Sequence, residues 1–116
     1  MILNSIKEAL ETVDPRVFYG QANTLEDGDL WDYIVFFRSS LKTTGGNSGL
    51  ANGYQVVIVR EDFIPEETVQ AVIDAMEKVA GMRLAGNEFS YGYEPKPKTN
   101  TVCEFLVLDF MKPRKR

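Results

Sequence analysis

The sequence predicts an α+β fold: a mostly antiparallel sheet of four to five strands with two helices, in the order α-β-β-β-α-β-β. Three observations predict it. Apolar residues recur at helical spacing in two segments, 2–13 and 64–81. They alternate with a two-residue period in 31–41, 54–62 and 101–111. Polar, turn-rich stretches separate these segments, and strands and helices do not alternate regularly as a parallel α/β sheet requires.

Taken in order, Ile2, Ile6, Leu10 and Val13 form one apolar stripe with Leu3 and Ala9 beside it, and "DPR" at 14–16 ends that helix. "VFYG" at 17–20 is a candidate short strand, and "QANTLEDGD" after it is turn-rich. In "WDYIVFFRSSL", 31–41, Trp31, Tyr33, Val35 and Phe37 share one face, while Ile34 and Phe36 share the other. "YQVVIVRED", 54–62, repeats the pattern with Val56 and Ile58 opposite Val57 and Val59. The second helix has Pro65 in its first turn, Glu66 and Glu67 at its positive end and Gly81 as its stop. Its stripe is Val69, Val72, Ile73, Met76, Val79 and Ala80. Phe89, Tyr91 and Tyr93 alternate with Ser90 and Gly92, "PKPKTN" makes a loop, and "TVCEFLVLDFM" closes a hairpin over 88–111.

The long strands are apolar at their centres on both faces, whereas an antiparallel sheet commonly leaves one face polar. Two arrangements bury the second face. Either the first helix covers one face and the second helix the other, or a neighbouring subunit covers what the helices leave bare.

At 116 residues the chain fits one domain with a real core, and its 44% hydrophobic and 26% charged residues are an ordinary globular balance. The division expected is a single α+β domain over 1–111 and a basic tail, "KPRKR", over 112–116. No apolar run approaches the roughly 20 residues that span a bilayer, so no membrane is expected. Acidic residues by position 8 argue against a signal peptide. The single cysteine, Cys103, fits a reducing compartment and reads as a small core residue. With no histidine, Ser-His-Asp and Cys-His nucleophilic sites and His-ligated metal sites are impossible. Removing the tail's four basic residues from the thirteen leaves 9 basic against 17 acidic in 1–111, a net −8. Such a body repels a nucleic-acid backbone, so specific recognition of nucleic acid is not expected.

The stretch "TTGGNSGLANG", Thr43, Thr44, Gly45, Gly46, Asn47, Ser48, Gly49, Leu50, Ala51, Asn52 and Gly53, stands out between two strands. It is not a phosphate cradle, because no lysine follows its last glycines and a strand, not a helix, begins at Tyr54. The dinucleotide fingerprint fails for the same reasons. A long, mobile hairpin connection explains the composition, but hairpin connections usually hold two to five residues, so the functional reading of one this length is a loop that orders on assembly. Asp27, Asp29 and Asp32 lack the closing glutamate of a calcium loop and read as a solvated acidic turn. Tyr91 and Tyr93 with Lys96 and Lys98 resemble a base-stacking platform, but half-buried aromatics are ordinary in strands. Glu104 breaks the apolar register of its strand and marks an edge or a polar interface. The tail, with Lys112, Arg114, Lys115 and Arg116, reads as solvated, with docking against an acidic partner or DNA as its functional alternative. No catalytic cluster, metal site or cofactor site emerges, and no enzyme is expected.

Over almost all of 1–113 the chain resembles the tail-terminator (tail-completion, or tail-to-head joining) proteins of long-tailed phages and prophages. The resemblance rests on "IKEAL" opening a helix, "WDYIVFFR" before a long loop, "YQVVIVREDFIPEETVQAVIDAMEK", "GMRLA" and "TVCEFLVLDFMKPRKR". It implies a structural virion protein forming a homo-oligomeric ring, commonly six-fold, at the tail–neck junction, assembled in the bacterial cytoplasm. The ring caps the tail tube and joins it to the head, with tail-tube and head-closure or neck proteins as partners and DNA passing through its lumen. Residues 43–53 would be its assembly loop. The alternatives are a head-closure (stopper) or other neck protein and, from a different class, a ferredoxin-like regulatory or ligand-binding module.

Overall fold

The computed structural model describes residues 2–21, 30–43 and 49–115, with residues 114 and 115 described by backbone alone. The elements are α1 (Ile2–Glu11), β1 (Val17–Tyr19), β2 (Tyr33–Thr43), β3 (Gly49–Glu61), α2 (Glu66–Glu77), β4 (Arg83–Leu84), β5 (Tyr91–Pro95) and β6 (Val102–Lys115). They build the expected α+β fold, with a six-stranded sheet ordered β1-β2-β3-β6-β4 and β5 also paired to β6. β1 runs parallel to β2, and every other pairing is antiparallel. The two-residue β4 is the strand that periodicity does not reveal.

The register explains the core. Ile34 pairs with Ile58 and Phe36 with Val56. Ile58, Val56 and Tyr54 pair in turn with Leu106, Leu108 and Phe110. These side chains share one face and join a single buried cluster with Ile6 and Leu10 of α1 and Val72 and Met76 of α2. Both helices therefore pack on the same side of the sheet, which overturns the arrangement with one helix on each face. A helical stripe needs one apolar surface to lie on, and the two helices bury more by also touching each other. They are in contact along the shared face.

α2 starts at an extended Pro65 that supplies no side-chain cap, so Glu66 and Glu67 answer the unpaired amides electrostatically. Gly81, at φ +80°, lets the chain reverse towards β4. The turn leaving α1 has a more specific anchor. Asp14, 4% exposed, accepts the backbone N–H of Arg16 at 2.8 Å on one carboxylate oxygen. Its other oxygen meets the Arg60 guanidinium at 2.8 Å, and Arg60 also donates to the Val59 carbonyl. This ion pair pins the α1–β1 turn to β3, and both charges are hydrogen-bonded as a buried pair requires.

Two regions differ from the sequence reading. The connection between β2 and β3 is shorter than 43–53, because Thr43 pairs with Leu50, Lys42 with Ala51, Leu41 with Asn52 and Ser40 with Gly53. Residues 112–115, expected as a solvated tail, continue β6 and pair with Asn52, Ala51, Leu50 and Gly49. Each accounts for the other. Glycine-rich 49–53 is a poor strand alone, but hydrogen-bonded ladders on both flanks offset the entropy of fixing it. Thr44–Ser48 and Arg116 lie outside the described residues, as do Asp27 and Asp29.

Replacing Asp14 by alanine leaves the largely covered Arg60 without its carboxylate and should cost about 2 kcal/mol, read from urea unfolding. Adding Arg60→Met should return part of that loss. A cost within the range of ordinary surface substitutions would show that the pair does not anchor the turn.

Candidate functional site

Among the described residues no helix covers the other face of the sheet. Its centre is Val35, Val57 and Val107 in one register row, flanked by Tyr33, Val59 and Phe105 in the next. Val35 and Val59 are buried by their neighbours, whereas Tyr33, Phe37, Val57, Phe105, Val107 and Met111 stay partly exposed. Phe18 of β1 extends the face, its ring edge-on to Tyr33 at 6.0 Å between centroids. The sheet edge adapts to this layer through Gly92. A Cβ there would lie 2.2 Å from the Phe105 ring, so the aromatic lies across the glycine backbone. A hydrogen bond donated by the Gln55 side-chain amide to the Asp109 carboxylate, 2.8 Å, satisfies a polar pair within the apolar surface.

Cys103 sits in this layer, 1% exposed, and burial pushes its thiol up from the ordinary value, so it stays protonated and inert. Burial raises the Tyr33 phenol in the same way.

One end of the face is fastened by carboxylates. Glu61 accepts the Trp31 backbone N–H at 2.7 Å and the Lys96 ammonium at 2.8 Å on the same oxygen, Oε2. Asp32 accepts the Glu61 N–H, so its carboxylate serves the chain rather than a cation. The Lys96 hydrogen bond is the main reason the Glu61 carboxyl lies below its ordinary range. Glu104 accepts the Ile64 N–H at 2.7 Å and the Tyr93 hydroxyl at 2.8 Å. The residue that breaks the strand pattern is thus an internal clasp holding the approach to α2 against the sheet. That hydrogen bond is also the leading cause of the raised Tyr93 hydroxyl. Lys96 is committed to Glu61, which takes one of the two lysines out of the base-stacking set, while the rings of Tyr91 and Tyr93 stay exposed. Among the described residues no group of three or more acidic or cysteine side chains converges as a metal site.

At one end of the sheet, 40–43, 49–53 and 111–115 form a three-stranded arm in a molecule measuring 53 × 27 × 23 Å, and its root packs on the body, where Met111 pairs with Arg83 of β4. The sequence-predicted residues Gly49, Leu50, Ala51, Asn52 and Gly53 are here brought beside 111–115, which carries Lys112, Arg114 and Lys115, with Thr43 one strand further out opposite Leu50, a juxtaposition the sequence does not announce. Leu41 is 58% exposed on this arm, and Ala51 is buried within it. A groove of about 460 Å³ lies where α1 begins, α2 ends and Lys112 crosses, and it is lined by Ile2, Ala9, Val79 and Lys78. Among the described residues no helix is long and apolar enough to cross a membrane.

Among the described residues, fold and surface together form a single sheet with helices on one side only. No protein-family model and no curated protein matches the sequence. Among solved structures, the chain is similar to one described as "Virion of native gene transfer agent (GTA) particle". The TM-score is 0.52 at 12% identity, covering 99% of this chain and 92% of that one. At that identity the likeness establishes a shared fold along the whole chain.

Glu61→Gln should show where that node acts. A carboxyl depressed in the folded state adds stability above its ordinary range, and that stability is lost as pH falls through the folded value. The stability difference between wild type and variant should therefore be largest near neutrality and shrink in acid, as read by thermal unfolding across pH. A difference independent of pH would assign the effect to packing instead. Gly92→Ala should cost about 1–3 kcal/mol by displacing the Phe105 ring. Most of that cost should vanish in a Phe105→Ala background, and strict additivity would disprove the contact.

Proposed function

We propose that the chain is a structural virion protein, a tail terminator whose ring caps the tail tube and joins it to the head. The observation that carries this reading is the helix-free apolar face of the sheet. A face on which Tyr33, Phe37, Val57, Phe105 and Val107 stay partly exposed gains further stability when something else covers it, and a neighbouring subunit or tube protein is the natural cover. The whole-chain likeness in fold to a chain of a virion particle supports the same class. The resemblance of the sequence to tail terminators supports the specific role, the ring, commonly six-fold, and the partners at the tail–neck junction. In this reading the protein is not an enzyme and binds no cofactor, and its contribution is shape and adhesion.

Deleting the gene tests the role. Electron microscopy should show DNA-filled heads separate from tails, with many tails abnormally long because tube growth lacks its cap. Empty heads beside tails of normal length would assign the chain to head closure, and normal infectious particles would end the reading. Complementation with Val57→Lys, which charges the centre of the apolar face, should fail although the purified variant keeps wild-type circular dichroism.

A further inference from the structure

The arm and the outer surface of α2 are opposite in charge and alike in length. Arg38, Lys42, Lys112, Arg114 and Lys115 lie on or at the root of the arm, and its strand segments 38–43, 49–53 and 111–115 contain no acidic residue. The helix Glu66–Glu77 contains no basic residue, and its Glu66, Glu67, Asp74 and Glu77 are exposed. At 3.6 residues per turn these four carboxylates fall within an arc of about 100° and run about 16 Å along the axis. Five residues of the arm extend about 16 Å at strand rise. Among the described residues no ion pair engages Arg38, Lys42, Lys112 or any of the four carboxylates, and the Asp74 carboxylate accepts the neighbouring Gln70 amide.

The arm also has a face suited to a partner. Leu41, Thr43, Leu50, Asn52, Lys112 and Arg114 occupy register positions on the same side of the ribbon. That side combines an exposed leucine with two basic positions. The α2 carboxylates project away from the core that the opposite side of the helix buries.

We infer that this face of the arm docks along the acidic outer face of α2 in a second copy of the chain. The contact joins two different surfaces, so it is head-to-tail, and repeated copies close into a ring or extend as a chain. Attraction between separated patches of opposite sign also sets the direction in which copies meet. The inference rests on the assembly reading above and deepens it by naming the two surfaces.

A charge swap tests it by sedimentation velocity in low and high salt. The wild type should self-associate in low salt and dissociate as salt screens the contact. Lys112→Glu/Arg114→Glu and Glu67→Lys/Asp74→Lys should each weaken self-association by about tenfold or more, because each places like charges across the contact. Mixing the two variants, or combining all four changes in one chain, should restore it, since both then present opposite charges again. Circular dichroism on each variant separates lost association from lost folding. A wild type that remains monomeric in low salt, or a mixture that fails to recover, overturns the contact. So does salt-sensitive uptake of duplex DNA by the arm without self-association. The gene deletion is read separately: uncapped tails together with a failed charge swap reject this contact and keep the terminator reading. A successful swap with normal infectious particles from the deletion does the reverse.

Discussion

The constraint on which the rest of the structure depends is that two short helices share one face of a sheet built apolar on both. The strands could have carried polar residues on the second face at no cost to the core, as antiparallel sheets with a single covering layer do. Instead Val35, Val57, Val59, Phe105 and Val107 stand there in adjoining register rows. The cluster under α1 and α2 already includes Ile34, Phe36, Val56, Ile58, Leu106 and Leu108, so the opposite face adds nothing to that core. Its composition makes physical sense as a surface awaiting contact.

Such a face is useful only if the sheet keeps its shape while it is uncovered, and the polar contacts are placed to hold it. Asp14 and Arg60 tie the exit of α1 to β3. Glu61 gathers the entry to β2 and the β5–β6 turn, while Glu104 fastens the approach to α2. Each joins segments far apart in sequence near the ends of central strands, leaving the strand centres free for apolar contact. Phe105 lying over Gly92 does the same at the edge through shape rather than charge.

Much of this was legible in the sequence because it depends on local periodicity. The stripe Ile6–Leu10 and the stripe Val72–Met76 mark helices, and the alternation around Val35 and Val57 marks strands with two apolar faces. What periodicity cannot say is which face each helix takes, since both stripes fit either. Glu104 was visible as an anomaly, but its partners, the Ile64 N–H and Tyr93, come from other elements. Asp14 looked like a turn former because its second partner, Arg60, is distant in sequence. The arm was least legible. Gly49–Gly53 has weak strand propensity, and Lys112–Lys115 contains a proline and dense charge, so each segment reads as irregular until the other supplies its hydrogen bonds.

That mutual dependence also redistributes charge. Read linearly, the chain is an acidic body of −8 followed by a detachable basic tail. Folded, the basic residues of the last strand lie in register with the β2–β3 hairpin that carries Lys42, and positive charge becomes part of a structured projection. A solvated tail would meet any acidic surface in many geometries and favour none of them. A paired ribbon presents its charges at fixed strand spacing, so its attraction depends on the shape and length of the surface it meets. In the proposed contact the acidic face of α2 matches both, and part of the body's negative charge then serves as half of that contact.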